Sequence, residues 1–305
     1  MSKAGSLRPD PTMIGNVVEP PFVRLPDPLV LFATRAARFR ATAQHHDLGA
    51  YLHFLAALSD CQHRVQDGLP EPDMPASDAR ARAHDGGMPP LDRSRFTADA
   101  ALDATLDGLF AQFAGIEMPD PARDGLTRAV SADAAARGAM MRAVLADAIP
   151  IEQLAEHVYV AAALQVHFSR QASRLDAGAL VPVADGACPA CGGAPVASQI
   201  VGWNGAHGAR FCSCSLCATL WHVVRIKCVL CGSTEGIAYE AIDGGRGTVK
   251  AETCGRCRCY VKILHQHKDP TLDPVADDVA SLALDMLLRQ SGYRRGAVNP
   301  FLIGY

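Results

Sequence analysis

The sequence of 305 residues lacks several features that would place it in a well-known class. No apolar run is long enough to span a bilayer, which argues against an integral membrane protein. There is no glycine-rich phosphate loop, no nucleophile elbow and no His-Glu-x-x-His zinc motif. Because no catalytic constellation can be assembled from these patterns, we expect a protein that is not an enzyme.

The chain also has little excess charge of either sign. Its formal net charge is −3 and its pI is about 6.4, so the composition gives no overall attraction to nucleic acid or to an anionic membrane. The N-terminus shows neither an apolar stretch with a small-residue cleavage site nor a twin-arginine motif before an apolar segment. We therefore expect a cytoplasmic protein in a reducing environment, without membrane insertion.

Cysteine, in contrast, is abundant, with eleven residues in the chain. Eight of them form four Cys-x-x-Cys pairs, and each cysteine of the first two pairs has a counterpart 40 residues later. In chain order the pairs are Cys188/Cys191, Cys214/Cys217, Cys228/Cys231 and Cys254/Cys257. Gly192 and Gly205 keep the same offset to Gly232 and Gly245. The pattern predicts a duplicated unit in which each copy binds one metal ion through four thiolates.

The offset also indicates how the pairs combine. We expect one group of ligands, site 1, to consist of Cys188, Cys191, Cys214 and Cys217, and the other, site 2, to consist of Cys228, Cys231, Cys254 and Cys257. A nested alternative would join the second pair to the third, but a duplicated unit should carry a complete site. A set of thioredoxin-like redox pairs is a further alternative, although such a motif usually occurs once. The spacing does not distinguish zinc from a rubredoxin-type iron.

Three cysteines remain outside the repeat. The counterparts of Cys212 and Cys259 are Glu252 and Thr219, so neither belongs to the duplicated ligand sets. We interpret both as small buried hydrophobic residues, with an auxiliary thiol or a replacement ligand as the functional alternative. We expect Cys61, which falls in a helical pattern, to pack in the core.

Other polar residues near these segments have ordinary explanations. We expect His222, His265 and His267, near the cysteines, to be surface or hydrogen-bonded residues, because eight thiolates already fill two sites. His157 and His167, in a helical pattern that also holds Gln165, are buried or functional candidates, and a hydrogen-bonded core histidine is the expected state. Arg35, Arg38 and Arg40 form a basic cluster, for which a solvated helix face is the expectation.

Hydrophobic periodicity divides the chain into segments. It predicts helices from about residue 28 to 44, 49 to 65, 97 to 113, 121 to 131, 132 to 146 and 151 to 175, and a loop over 67–90. Short β-prone runs at 196–203, 221–226, 239–242 and 260–264 fall between the cysteine pairs. A last helix follows Asp273-Pro274, with an apolar face of Val279, Leu282, Ala283, Met286 and Leu287.

These segments predict an α+β multidomain fold. A helical N-terminal domain precedes two tandem rubredoxin-like or zinc-ribbon subdomains. The expected divisions are an extended arm (1–24), a helical domain (25–180), a first rubredoxin-like unit (183–226), a second unit (227–268), and a C-terminal helix and tail docked on the body (270–305).

Several motifs together resemble the formate dehydrogenase accessory protein family, FdhE. Leu25-Pro-Asp-Pro-Leu-Val-Leu-Phe32, followed by Arg35-Ala-Ala-Arg38, is similar to the N-terminal motif of the family, and Ala163-Leu-Gln-Val-His-Phe168 to its central helix. The four Cys-x-x-Cys motifs occur in the family order, and the resemblance covers nearly the whole chain. It implies a cytoplasmic maturation factor that binds the catalytic subunit of respiratory formate dehydrogenase before export, carries iron in rubredoxin-like sites and does not oxidise formate itself.

Two other classes of function stay open at the level of sequence. An iron-based redox protein or electron carrier could use the same two four-cysteine sites. A zinc ribbon that binds nucleic acid is the weaker alternative, because the knuckle loops offer basic residues but the chain is acidic overall.

Overall fold

The computed structural model describes residues 19–302. Helices occupy the first part of this range and a mixed β-sheet most of the second part, which confirms the predicted α+β class. The helices of the first part are α1 (Pro28–Ala43), α2 (Gly49–Arg64), α3 (Ser77–Asp85), α4 (Ala100–Phe113), α5 (Asp120–Ser131), α6 (Ala134–Leu145) and α7 (Leu154–Ala172).

The helical domain is organised around α7. Most residues of this helix are buried, including Tyr159, Leu164 and Phe168, because α1, α2, α4, α5 and α6 all pack against it. Short acidic caps start several of the helices: the Asp27 carboxylate accepts a hydrogen bond from the Leu29 amide at 3.1 Å at the start of α1. The sequence thus sets the helix starts, while the apolar stripes determine how the helices pack.

One sheet contains both four-cysteine units. Its strands are β1 (Val23–Arg24), β2 (Pro195–Ile200), β3 (Arg210–Cys214), β4 (Leu220–Val223), β5 (Ile237–Glu240), β6 (Val249–Cys254), β7 (Cys259–Leu264) and β8 (Arg294–Arg295). The order is β1-β4-β3-β2-β7-β6-β5, and β8 pairs with β7. Strands β2, β3 and β4 form one antiparallel unit, and β5, β6 and β7 form its repeat.

The two units are joined by a parallel pairing of β2 with β7. Ser198 lies opposite Ile263 and Gln199 opposite Leu264. The first strand of one unit therefore continues the sheet from the last strand of the other. As a result the two copies share a hydrogen-bonded sheet, which the sequence pattern of two tandem units did not indicate.

The predicted C-terminal helix is interrupted. It consists of α8 (Pro274–Ala280) and α9 (Leu282–Gln290), with Ser281 between them in a non-helical conformation. This break changes the phase of the apolar face, so Leu284 and Leu288 pack with Tyr260. The predicted face was wrong for Met286 and Leu287, which are 54% and 50% exposed.

Two predictions for the helical domain also fail. The segment 67–90 contains α3, whose nine residues are all at least partly exposed, so it has no apolar stripe that periodicity could detect. Helical periodicity also predicts that Leu29 shares the apolar face of α1 with Phe32, Ala36 and Phe39, but Leu29 is 75% exposed while the other three are buried.

The arginine cluster of α1 is largely an interior feature rather than a solvated face. Arg35 is 3% exposed and its Nε lies 3.5 Å from Asp273 Oδ1. The Arg38 guanidinium donates to both carboxylate oxygens of Asp277, with the shortest distance 2.6 Å. Only Arg40 has a half-exposed side chain. The cause is tertiary, since α8 packs on α1 and brings these two aspartates with it.

The two ends of the described range are both tied to the body. Of the predicted extended arm, Val23 and Arg24 pair with Trp221 and Leu220, while residues 1–18 lie outside the described range. At the other end the Tyr51 hydroxyl donates to the Phe301 carbonyl at 2.7 Å, and residues 303–305 lie outside the described range. Among residues 19–302, no helix has the length and apolar character that crossing a membrane requires.

Candidate metal centres

Each cysteine pair occupies a tight turn, and the first knuckle of each unit has the same backbone hydrogen bonds. In the first unit the Cys188 amide donates to the Gly193 carbonyl at 2.9 Å, and the Gly192 amide donates to the Cys188 carbonyl at 2.8 Å. In the second unit the Cys228 amide donates to the Ser233 carbonyl at 2.8 Å. These turns present both sulfurs of a pair on one side, as a four-thiolate site requires.

The residue after the second cysteine is left-handed in all four knuckles. Gly192 and Gly232 have φ of 75° and 72°, which glycine adopts without steric cost. Ala218 and Arg258, at the same position of the other two knuckles, have φ of 59° and 56°. The chain thus accepts a strained conformation at two residues with side chains to keep the knuckle geometry.

The structure brings the eight cysteines into two groups of four, paired as the 40-residue offset indicates. Within each group the ligand atoms all lie within 4.8 Å of one another. Measured sulfur–sulfur distances are 3.6 Å for Cys188–Cys217 and 3.4 Å for Cys191–Cys214 in site 1. Both corresponding distances in site 2 are 3.8 Å. A tetrahedral ion with sulfur ligands at about 2.3 Å requires sulfurs about 3.8 Å apart, so each group could hold one metal ion.

The thiols of site 1 lie in a buried environment that shifts their ionisation. Burial raises the pKa of Cys188 and Cys191 well above the ordinary value. Burial acts in the same direction on Cys214, but hydrogen bonds from the other three thiols hold its pKa well below that value. Four thiolates cannot share this buried space without a compensating positive charge, so metal binding there would be coupled to loss of the thiol protons.

The thiols of site 2 are less uniformly affected. Burial raises the pKa of Cys228 to about 11. For Cys254 the effect of burial is overcome by hydrogen bonds from the Cys257 and Arg256 amides and from neighbouring thiols, which lower its pKa to about 7. Near neutral pH the Cys254 side chain is therefore a mixture of thiol and thiolate.

Site 1 also depends on a glycine that the sequence repeat does not reveal. A Cβ atom on Gly193 would lie 2.9 Å from Cys214 Sγ and 3.2 Å from Cys191 Sγ. The counterpart of Gly193 in the second unit is Ser233, where a side chain is already accommodated. The first site is therefore packed more tightly around its sulfurs than the second.

None of the remaining cysteines in the described range joins either group. Cys212 lies in β3 opposite Trp221, and burial raises the pKa of its thiol to about 12, as for a small buried hydrophobic residue. Cys259 is half-buried and its sulfur is 3.4 Å from the Cys257 carbonyl. Cys61 is buried in α2, as expected.

The histidines are also outside both groups. His265 and His267 lie next to each other with ring centroids 5.4 Å apart, and His222 packs edge-on against Phe211. On α7, Nδ1 of His157 lies 2.6 Å from the Gln153 carbonyl, whereas His167 is fully buried beside Phe96. No described histidine therefore lies where it could replace a cysteine ligand.

The polar residues that fix site 1 against the helical domain were not apparent from the sequence. The Gln165 side chain on α7 donates to the Ser215 carbonyl at 2.8 Å, and Ser215 lies between the two cysteines of the second knuckle. The Gln165 Oε1 atom accepts hydrogen bonds from the side chains of Arg35 and Gln62, each at 3.3 Å. The only signal in the sequence was the occurrence of Gln165 and Arg35 within helical patterns, and it does not indicate what they contact.

These features define a class of protein: a helical domain that supports a mixed sheet bearing two four-cysteine groups, each with the geometry of a metal centre. Three family models cover most of the chain: "FdhE, N-terminal" over residues 20–185, "FdhE, central domain" over 187–225 and "FdhE, C-terminal domain" over 226–302. The chain belongs to the FdhE family.

Individual proteins agree with this assignment. The chain is 46% identical over 301 residues to "Protein FdhE homolog" of Rhizobium meliloti (strain 1021), with 98% of each chain covered. It is 36% identical over 275 residues to the FdhE homolog of Cronobacter sakazakii, with 89% of this chain and 88% of the other covered. The crystal structure of the FdhE protein from Pseudomonas aeruginosa superimposes with a TM-score of 0.83 at 33% identity, covering 93% of this chain and 99% of that one.

Proposed function

We propose that this protein is a metal-binding accessory factor that is needed for the activity of respiratory formate dehydrogenase. It acts in the cytoplasm by binding the catalytic subunit before export, and it is not itself a formate-oxidising enzyme. The observation that carries the proposal is the pair of four-sulfur groups with tetrahedral spacing, in a chain of the FdhE family. The sequence resemblance supplies the formate dehydrogenase partner, and the geometry supports the metals.

The proposed ligands are the eight cysteines of the two groups. Cys188, Cys191, Cys214 and Cys217 would hold the first ion, and Cys228, Cys231, Cys254 and Cys257 the second. Four-thiolate shells suit both iron and zinc, and the resemblance favours iron. In the proposed role the ions stabilise the knuckles, because a unit of about 40 residues rarely folds on an apolar core of its own.

Metal analysis of anaerobically purified protein tests the first part of the proposal. We expect two equivalents per chain, and ferric four-thiolate sites would absorb strongly in the visible. Zinc in the natively purified protein would exclude electron transfer through these sites, and so would exclude the electron-carrier alternative. Protein that neither retains nor takes up metal would contradict the proposed ligand assignment.

A binding assay with the formate dehydrogenase catalytic subunit tests the second part. We expect the full-length chain to capture the subunit from extract, and the Cys228→Ser/Cys231→Ser variant to bind it more weakly. Circular dichroism of the variant should retain most of the helical signal, because the hydrophobic core that holds the helices includes the site 1 cysteines but neither Cys228 nor Cys231. Cys259→Ser is the matched control, since it removes a neighbouring thiol outside both groups. Absence of any association, with or without metal, would refute the proposed role.

A further inference from the structure

The two four-cysteine groups share a knuckle geometry but differ in access to solvent. In site 1 the exposed fractions are 0% for Cys188, Cys191 and Cys217 and 2% for Cys214. In site 2, Cys228 and Cys254 are 3% and 1% exposed, whereas Cys231 is exposed and Cys257 is partly exposed. The ligand chemistry is the same in the two sites, so the surroundings must account for the difference.

The helical domain covers site 1 directly. A segment that precedes α4 runs across the first knuckle, where the Leu91 amide donates to the Ala190 carbonyl at 2.9 Å and the Arg93 amide donates to the Cys191 carbonyl at 3.1 Å. From the other side, Gln165 of α7 holds the second knuckle. Both knuckles of site 1 are therefore fastened to the helical domain and share its hydrophobic core, and a molecule in solvent has no direct route to the four sulfurs.

Site 2 is only partly covered: the Asp185 side chain lies against Gly232 of its first knuckle, and the C-terminal segment contacts both knuckles. Leu230 of its first knuckle packs against Gly296, where an added Cβ would lie 2.0 Å from Leu230 Cδ1. Arg258 of its second knuckle lies over the Tyr293 ring at 4.4 Å. These contacts come from the C-terminal segment and leave Cys231 uncovered. Strand β5 begins at Ile237, opposite Cys254 of site 2. Within the described range it pairs only with β6, so it is an edge strand of the sheet.

From this asymmetry we propose that site 2 is an exchangeable metal site and that site 1 holds its metal permanently. The inference rests on the proposed function, because it requires that both groups bind metal. An external thiol or chelator can reach the open side of site 2. Cys231 would then give up its place at the metal and take up the proton that an incoming thiol releases, so that charge would balance and no electron would be transferred.

The same substitution is obstructed at site 1. An incoming ligand would first have to displace the 89–93 segment from the first knuckle, or to break the hydrogen bond between Gln165 and Ser215. Either step loosens the packing between the sheet and the helical domain. Exchange at site 1 therefore requires local unfolding before it starts, whereas exchange at site 2 can begin at the exposed Cys231 side chain.

The test uses the full-length chain loaded with two equivalents of Zn²⁺ and then challenged with an excess of a chromogenic chelator. We expect two kinetic phases of one equivalent each, with rates that differ by more than about tenfold, which corresponds to about 1.4 kcal/mol in activation free energy. Pulse alkylation with N-ethylmaleimide followed by mass spectrometry then identifies the thiols released in each phase. Cys231 and Cys257 should be labelled in the fast phase, and the four site 1 cysteines in the slow phase.

A matched pair of variants connects the phases to the sites. Cys231→Ser should abolish the fast phase and leave the slow one, while Cys191→Ser, at the equivalent position of the first unit, should leave the fast one. Because Cys191→Ser can unfold the first unit, the alkylation map of the unaltered chain provides the decisive result. Equal rates, or early labelling of site 1, would overturn the inference while leaving the proposed function intact. A chain that takes up no zinc would overturn both.

Discussion

The ion pair between Arg210 and Glu252 provides a quantitative test of how the two units are held together. Arg210 lies in β3 of the first unit and Glu252 in β6 of the second, and their side chains are 0% and 3% exposed. Two parallel hydrogen bonds of 2.6 Å and 2.9 Å join the guanidinium to the carboxylate. The same guanidinium also donates to Ser198 and to the carbonyls of Arg225 and Lys227. The Arg210 guanidinium therefore links both units to the segment around Arg225 and Lys227 that connects them.

Removal of one partner should be costly because the other charge stays buried. Glu252→Ala leaves the Arg210 guanidinium without its counter-ion in a site with no access to water. Breaking a buried pair in this way costs about 3–5 kcal/mol, or between about a hundredfold and a few thousandfold in the unfolding equilibrium constant. Replacing both residues by methionine removes the two charges together, so we expect that double variant to recover most of the lost stability.

Urea unfolding of the metal-loaded protein measures the effect, and hydrogen exchange locates it. Amides of β2 and β7 should lose protection in Glu252→Ala, because these strands form the junction between the units. Asp185→Ala is the control, since it removes a partly exposed pair with Lys227 of the same connection and should cost at most about 1 kcal/mol. A loss below 1 kcal/mol for Glu252→Ala, or a double variant as unstable as the sum of the single ones, would refute this reasoning.

Three further predictions concern the metal knuckles and the pH response. Gly193→Ala should lower the metal content by about one equivalent, because the added Cβ would crowd two sulfurs. Ser233→Ala in the second unit should leave the metal content unchanged, and equal effects of the two substitutions would contradict the packing argument. Ala218→Gly should raise the thermal midpoint, because it relieves a left-handed conformation that costs up to about 1 kcal/mol. Arg258→Gly should raise the midpoint less, because it also loses the contact with the Tyr293 ring; calorimetry compares the two midpoints. Burial lowers the pKa of His265 to about 4 in the folded protein, so the unfolded chain binds more protons than the folded one between pH 6.5 and 4. The free energy of unfolding therefore decreases as the pH falls through that window. In His265→Gln this decrease should be smaller, as measured by urea titrations at several pH values.

The cysteine arrangement was largely accessible from the sequence because it depends on local spacing. A pair two residues apart fits one turn, and a constant offset of 40 residues indicated which pairs belong together. The strong helical stripes were predictable for the same reason, as for the run from Leu154 to Ala172. In both cases the information lies within one segment of the chain.

Features that depend on contacts distant in sequence could not be predicted in this way. Arg35 and Arg38 belong to a helix whose own pattern suggests a solvated face, and only the packing of α8 supplies their carboxylate partners. Strands β3 and β6 were missed because they are rich in Ser, Thr, Cys and charged residues, and the ladder with their neighbours compensates for weak intrinsic preference. The junction of β2 with β7 leaves no local signal at all.

Duplication alone would have produced two equivalent metal centres, and the ligand sets are indeed equivalent. What separates the sites is found at other positions of the repeat. Gly193 in the first unit corresponds to Ser233 in the second, so the sulfurs of the first site are more tightly enclosed. Covering segments also differ, since the helical domain contacts the first unit at Ala190 and Cys191, and the C-terminal segment contacts the second at Arg258. The divergence of these neighbours, at constant ligand chemistry, gives one chain both a sealed and an accessible site.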